Sequence, residues 1–149
     1  MQRTSPHAAL PIRREAMGSL VAAGGKATLT LVAPEIQRLR WSARAGITPD
    51  DARAVLAASR MMSAGAPYAI LVDMTSIIDL PPGARAVFNA EALVVAAALV
   101  GEGPMDEVLA AGACKAVHAT RFFTSESSAR EWLQASLAAR TARMARESA

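Results

Sequence analysis

Hydrophobic and polar positions alternate over two short stretches of the chain. Lys26, Thr28 and Thr30 are interleaved with Ala27, Leu29 and Leu31, and Arg38 and Arg40 with Leu39 and Trp41. A period of two is that of a strand with one face buried and one face wet. The break at Ala33-Pro34-Glu35 predicts an antiparallel hairpin, placed at a sheet edge where outward arginines discourage pairing with other chains. A helical pattern follows. Thr48-Pro49-Asp50-Asp51 offers a cap, a first-turn proline and two acids for the positive end of the helix dipole. Ala52, Val55, Leu56 and Met62 make an apolar stripe, and Gly65 stops the helix near Ala64.

The run from Tyr68 to Val72 is continuously apolar, as in a parallel strand buried on both faces. It ends in Asp73-Met74-Thr75-Ser76-Ile77, so it delivers polar side chains where α/β proteins place their working loops. Pro81-Pro82 opens a short helix to about Ala90. Ala92 to Val100 is apolar, and the glycines after it, Gly101 and Gly103, favour a strand over a buried helix. Met105 to Val117 is predicted helical and Ala119 to Phe123 extended. Ser128-Ala129-Arg130-Glu131 has the form of a capping box, followed by the stripe Trp132, Leu133, Leu137. The order β-β-α-β-α-β-α-β-α predicts an α/β fold with a mixed, mostly parallel central sheet and a carboxyl-terminal helix.

Residues 1–24 mix proline, glycine and charge without sustained periodicity, which predicts a disordered tail before a domain at 25–140. The polar stretch 141–149 is expected to fray. Arg13-Arg14 and the apolar residues after Met17 imitate an export signal, but Glu15, Gly18 and their shortness argue against one, and Met17 is an alternative start codon.

At 149 residues the chain suits one domain, and 52% apolar residues can build a core, although much of that share is alanine. No apolar run reaches the roughly 18–20 residues that span a bilayer. The net charge of +3 comes mostly from arginine, but the arginines are scattered and form no stripe for a phosphate backbone. One cysteine, Cys114, excludes an internal disulfide and suits a reducing cytoplasm. His7 and His118 have no second ligand at metal spacing, and no nucleophile–base set can be assembled, so neither a metal nor a cofactor is expected. Asp73 as a phospho-acceptor would need an acid pair and a lysine at a strand end; the lysines are Lys26 and Lys115, and the last strand ends in Thr124. Its simpler role is to accept hydrogen bonds from turn amides. Gly101-Glu102-Gly103-Pro104 precedes a helix start, but Glu102, Asp106 and Glu107 surround it with negative charge and argue against a phosphate there.

Val72-Asp73-Met74-Thr75-Ser76-Ile77 resembles the strand-end pattern of STAS domains of the SpoIIAA-like kind. Thr120-Arg121-Phe122-Phe123-Thr124-Ser125 and Glu131-Trp132-Leu133 are similar to small stand-alone bacterial members of unknown function, and the likeness extends over about residues 26 to 138. It implies a cytoplasmic, non-enzymatic domain that binds another protein, or its own copy, around Asp73, Thr75, Ser76, Asp79, Gly83 and Arg85. In SpoIIAA-like antagonists a partner kinase phosphorylates a serine at the start of the second helix. Here that turn reads Asp79-Leu80-Pro81-Pro82-Gly83, and proline has no hydroxyl, so the candidate phosphosites shift to Thr75 and Ser76. A relation in shape to SEC14-like lipid carriers implies the alternative: an apolar cleft beside the sheet that carries a small apolar molecule or lipid.

Overall fold

Among the described residues, seven strands form one sheet in the order in which they occur along the chain. They are β1 (Arg13–Ala16), β2 (Ser19–Ala22), β3 (Ala27–Ala33), β4 (Ile36–Trp41), β5 (Tyr68–Asp73), β6 (Val94–Val100) and β7 (Ala119–Phe123). The structure is a computed structural model and describes residues 12–16, 18–77, 79–104, 111 and 116–148, with the backbone alone for 13–16. The first four strands pair antiparallel, and β4 to β7 pair parallel. Helices α1 (Pro49–Met62) and α2 (Pro82–Asn89) make the β4–β5 and β5–β6 crossovers, and α3 (Glu126–Ser148) follows β7.

Two successive crossovers that step the same way with the same hand put their helices on one face. Accordingly Leu29, Leu39, Trp41, Tyr68, Ile70 and Val94 share a core with α1 and Ala84 of α2. The other face buries Ile36, Ala69, Leu71, Ala96 and Ala98 against Ala129 and Leu133 of α3. Alternation along β5 explains the split: Tyr68 and Ile70 face one layer, Ala69 and Leu71 the other.

Three expectations change. Residues 13–16 and 19–22, read as tail, are strands: Ser19 to Ala22 pair with Thr30 to Ala27, and Leu20 and Ala22 are buried. The glycines that look like breakers are turn residues instead. Gly18 (φ 75°) joins β1 to β2, and Gly24 and Gly25 (φ 64° and 95°) join β2 to β3. It follows that the β3–β4 hairpin is interior; among the described strands β1 and β7 hold the edges. Finally, α3 begins a turn earlier than the proposed capping box: Glu126 is its first residue, and Ser128 N–H donates to Ser125 Oγ at 3.3 Å. The helix continues to Ser148 with the side chains of 141–148 exposed. The predicted helix Met105–Val117, with Cys114, Lys115, Asp106 and Glu107, falls almost wholly outside the described residues.

Two polar knots fasten the α1 layer. In the first, Thr48 Oγ1 accepts from Asp51 N–H and Asp51 Oδ2 accepts from Thr48 N–H, both at 3.0 Å, while Lys26 Nζ donates to the same carboxylate at 2.8 Å. Burial raises the Asp51 pKa, but the bonds from Lys26 and Thr48 outweigh it and hold the carboxyl below its ordinary value. In the second knot, Arg60 grips buried Glu91 with two bonds of 2.9 and 2.8 Å, and these bonds lower the Glu91 pKa.

Candidate functional site

Strands β4 to β7 run parallel, so their carboxyl ends form one rim. β5 lies inside the sheet, between β4 and β6. Beyond it the chain turns sharply. Asp73 Oδ1 accepts from Thr75 N–H at 2.9 Å and from Thr75 Oγ1 at 2.6 Å. Its other oxygen, Oδ2, lies 3.4 Å from Arg40 Nε. Register explains this pair: Leu39 is opposite Val72, which sets Arg40 beside Asp73 on the neighbouring strand. Met74 and Ile77 turn inward and are buried, Met74 N–H donating to Val100 O at 2.7 Å. Ile77 bridges to Ala45, and Arg44 N–H donates to Ser76 O at 3.2 Å, so the turn is stitched to the loop after β4.

Asp73, Thr75 and Ser76 therefore stand together, with Thr75 exposed and Ser76 half-buried. Asp79 is exposed further along the same turn. Gly83 has a packing role: a Cβ there would meet Pro49 Cγ at 2.9 Å, so glycine lets the start of α2 lie against the start of α1. Arg85 departs from the group. It points under the turn, where Nη2 donates to Leu80 O at 3.0 Å and Nε is buried with no hydrogen-bond partner among the described residues. At the start of α2 the N-cap is Pro81, which makes no side-chain capping bond.

Beneath the rim, between the sheet and helices α1 and α2, is an apolar cavity of about 80 Å³. Leu39, Trp41, Ile70, Met74, Phe88 and Leu99 contribute to its walls. Arg85, Asn89, His118 and Thr120 line it along the seam between α2 and β7. The seam is tied by Val117 N–H to Asn89 O at 2.9 Å and by His118 Nε2 to Phe88 O at 3.3 Å. A carbonyl only accepts, so Nε2 carries a proton and Nδ1 faces the Thr120 hydroxyl at 3.2 Å. Metal spacing gives His118 no role; its place on this seam depends on how β7 abuts α2, which no local pattern encodes. Alternation puts Arg40 on a wet strand face, and its link to Asp73 needs the β4–β5 register.

A second, polar groove of about 260 Å³ lies on the α3 face of the sheet, where Thr28, Thr30, Arg38 and Arg40 line it. Arg38 is held by Glu126 of α3 at 2.8 Å. Buried Tyr68, on the α1 face, has its phenol pushed up to about 12 by burial. Among the described residues no group of three or more His, Cys, Asp or Glu side chains could hold a metal ion, and no helix is long and apolar enough to cross a membrane.

This arrangement of mixed sheet, two helices on one face and a carboxyl-terminal helix on the other is a SpoIIAA-like fold. The fold is shared with an uncharacterized protein of the DUF3478 family from Shewanella loihica PV-4, which superposes with a TM-score of 0.50 at 17% identity, covering 89% of this chain and 99% of that one. The chain belongs to the family described as a domain of unknown function (DUF7793), whose sequence profile matches residues 31–137. A protein of unknown function from Arthrobacter sp. FB24 is 38% identical, covering 71% of this chain and 97% of that one, with a TM-score of 0.30. No curated protein matches the sequence.

Proposed function

We propose that this chain is a non-enzymatic STAS-like binding domain that captures another protein, or a second copy of itself, at the turn between β5 and α2. It would act in the bacterial cytoplasm. The observation that carries this reading is the fixed geometry of the turn. Asp73 is held by Thr75 on one oxygen and by Arg40 on the other, while Thr75 and Asp79 remain exposed. A turn already ordered by such bonds has less conformational freedom to lose on docking, which favours recognition. The same bonds count against chemistry: the Thr75 hydroxyl donates to a carboxylate already engaged by a guanidinium, an arrangement that orients but does not activate.

The proline at the α2 N-cap removes the hydroxyl that the antagonists use, so regulation would have to act at Thr75 or Ser76. A phosphate on Thr75 would lie against Asp73, and two like charges at that separation would open the turn. Affinity purification from the native host tests the proposal. Replacing Thr75, Ser76 and Asp79 with alanine should abolish the captured partner without changing the circular dichroism spectrum; identical capture by the variant would refute it.

The cavity under the rim favours a second reading, a carrier of a small apolar molecule. Native mass spectrometry of the protein from its own host separates the two, because a carrier retains a ligand mass and an adaptor retains a polypeptide.

A further inference from the structure

We infer that the cavity takes a short-chain carboxylic acid, with its chain among the apolar walls and its carboxylate on Arg85. This rests on the carrier reading and narrows it. Size comes first. A cavity of about 80 Å³ is roughly half the volume that admits benzene in the best-known engineered protein cavity. It suits a chain of a few carbons and excludes the acyl tails of a membrane lipid.

Charge comes next. Among the described residues that line the cavity, Arg85 carries the one formal charge and no acid is present. A half-buried guanidinium facing an apolar wall with no acid among the described lining residues leaves a charge that an anionic ligand would compensate. The guanidinium has donors to spare. Nη2 gives one N–H to Leu80 O, whereas Nε is buried with no hydrogen-bond partner among the described residues, so the arginine can still donate to a carboxylate. Thr120 and His118 share the α2–β7 seam with Arg85 and add polar surface to the same cavity.

The test uses the full chain and two probes of equal length, butanoate and 1-butanol, whose short chains match the cavity. Binding is followed by calorimetry and by the NMR signals of the Trp41 indole and the Met74 methyl, both in the cavity wall. Butanoate should bind saturably, shift both signals, and bind about ten-fold or more tightly than butanol, the value of a buried charge-assisted bond. Arg85→Gln should erase that difference by weakening the acid alone, and Arg85→Lys should restore part of it. Ala97→Leu, which fills the cavity from β6, should abolish both ligands. Equal affinity for acid and alcohol would overturn the carboxylate inference and leave the carrier reading standing. Silence of both signals with both probes would overturn the two together. The acid–alcohol comparison needs no variant, so a substitution that unfolds the chain cannot obscure the outcome.

Discussion

Asp51 offers the most quantitative test of how the α1 layer is fastened. It is nearly fully buried, with 2% of its side chain exposed, and serves the reciprocal cap with Thr48 and the pair with Lys26 at once. Asp51→Ala removes the Thr48 N–H acceptor, worth about 1 kcal/mol as a helix cap. It also removes the ion pair; Lys26 is 41% exposed, so solvent screening limits that contribution to about 1 kcal/mol. Loss of a first-turn acid from the helix dipole adds about 0.5 kcal/mol. The expected destabilisation is about 2–3 kcal/mol in urea at neutral pH, or a melting point lower by roughly 6–12 °C for a chain of this length. Asp51→Asn keeps an acceptor for Thr48 N–H and should lose about half as much. The pH dependence has a definite sign. The folded pKa is depressed below the ordinary aspartate value of 3.8, so the contribution of the charge is complete above that value and disappears as pH falls through the folded value. The gap between wild type and Asp51→Asn should therefore be constant from neutral pH to about pH 5 and close in stronger acid. A loss below about 0.5 kcal/mol for Asp51→Ala, or a gap that widens on acidification, would refute the reasoning.

Glu91→Gln should cost about 1 kcal/mol, since Arg60 is 57% exposed, and the difference from wild type should shrink as pH drops below the ordinary glutamate value of 4.5, measured by urea titration at several pH values. Leu133→Ala should cost about 3 kcal/mol by the same method: its site is fully buried among Ala69, Ala96 and Ala98, whose small side chains cannot move in to close the void. Gly83→Ala sets a helix-propensity gain of about 1 kcal/mol against a Cβ at 2.9 Å from Pro49; overpacking on a rigid ring should win by about 1 kcal/mol and lower the thermal midpoint.

The interior of the fold was legible because its signals are local. Tyr68–Val72 and Ala119–Phe123 coincide with strands to within a residue, and Thr48-Pro49-Asp50-Asp51 forms the cap and first turn of α1. Ser19–Ala22 was missed because four residues between glycines show too little alternation; pairing with β3 makes the strand. The start of α3 was misplaced because Ser128 has an acid, Glu131, at capping-box spacing and Ser125 has none there; the helix nevertheless starts at Glu126, with Ser128 N–H donating to Ser125 Oγ and Ala129 and Leu133 packed on the sheet. At the rim, the Asp73–Thr75 turn follows from residue type, whereas the inward course of Arg85 follows from its bond to Leu80 O and the space beneath the turn.

Docking at the β5–α2 turn is tested most directly by placing a photoreactive benzoylphenylalanine at Thr75 and irradiating the native host cells, with the same group at exposed Gln134 on α3 as control. A discrete polypeptide adduct from position 75, absent from position 134, is the predicted result. No adduct at position 75, or the same adducts from both positions, would contradict the account.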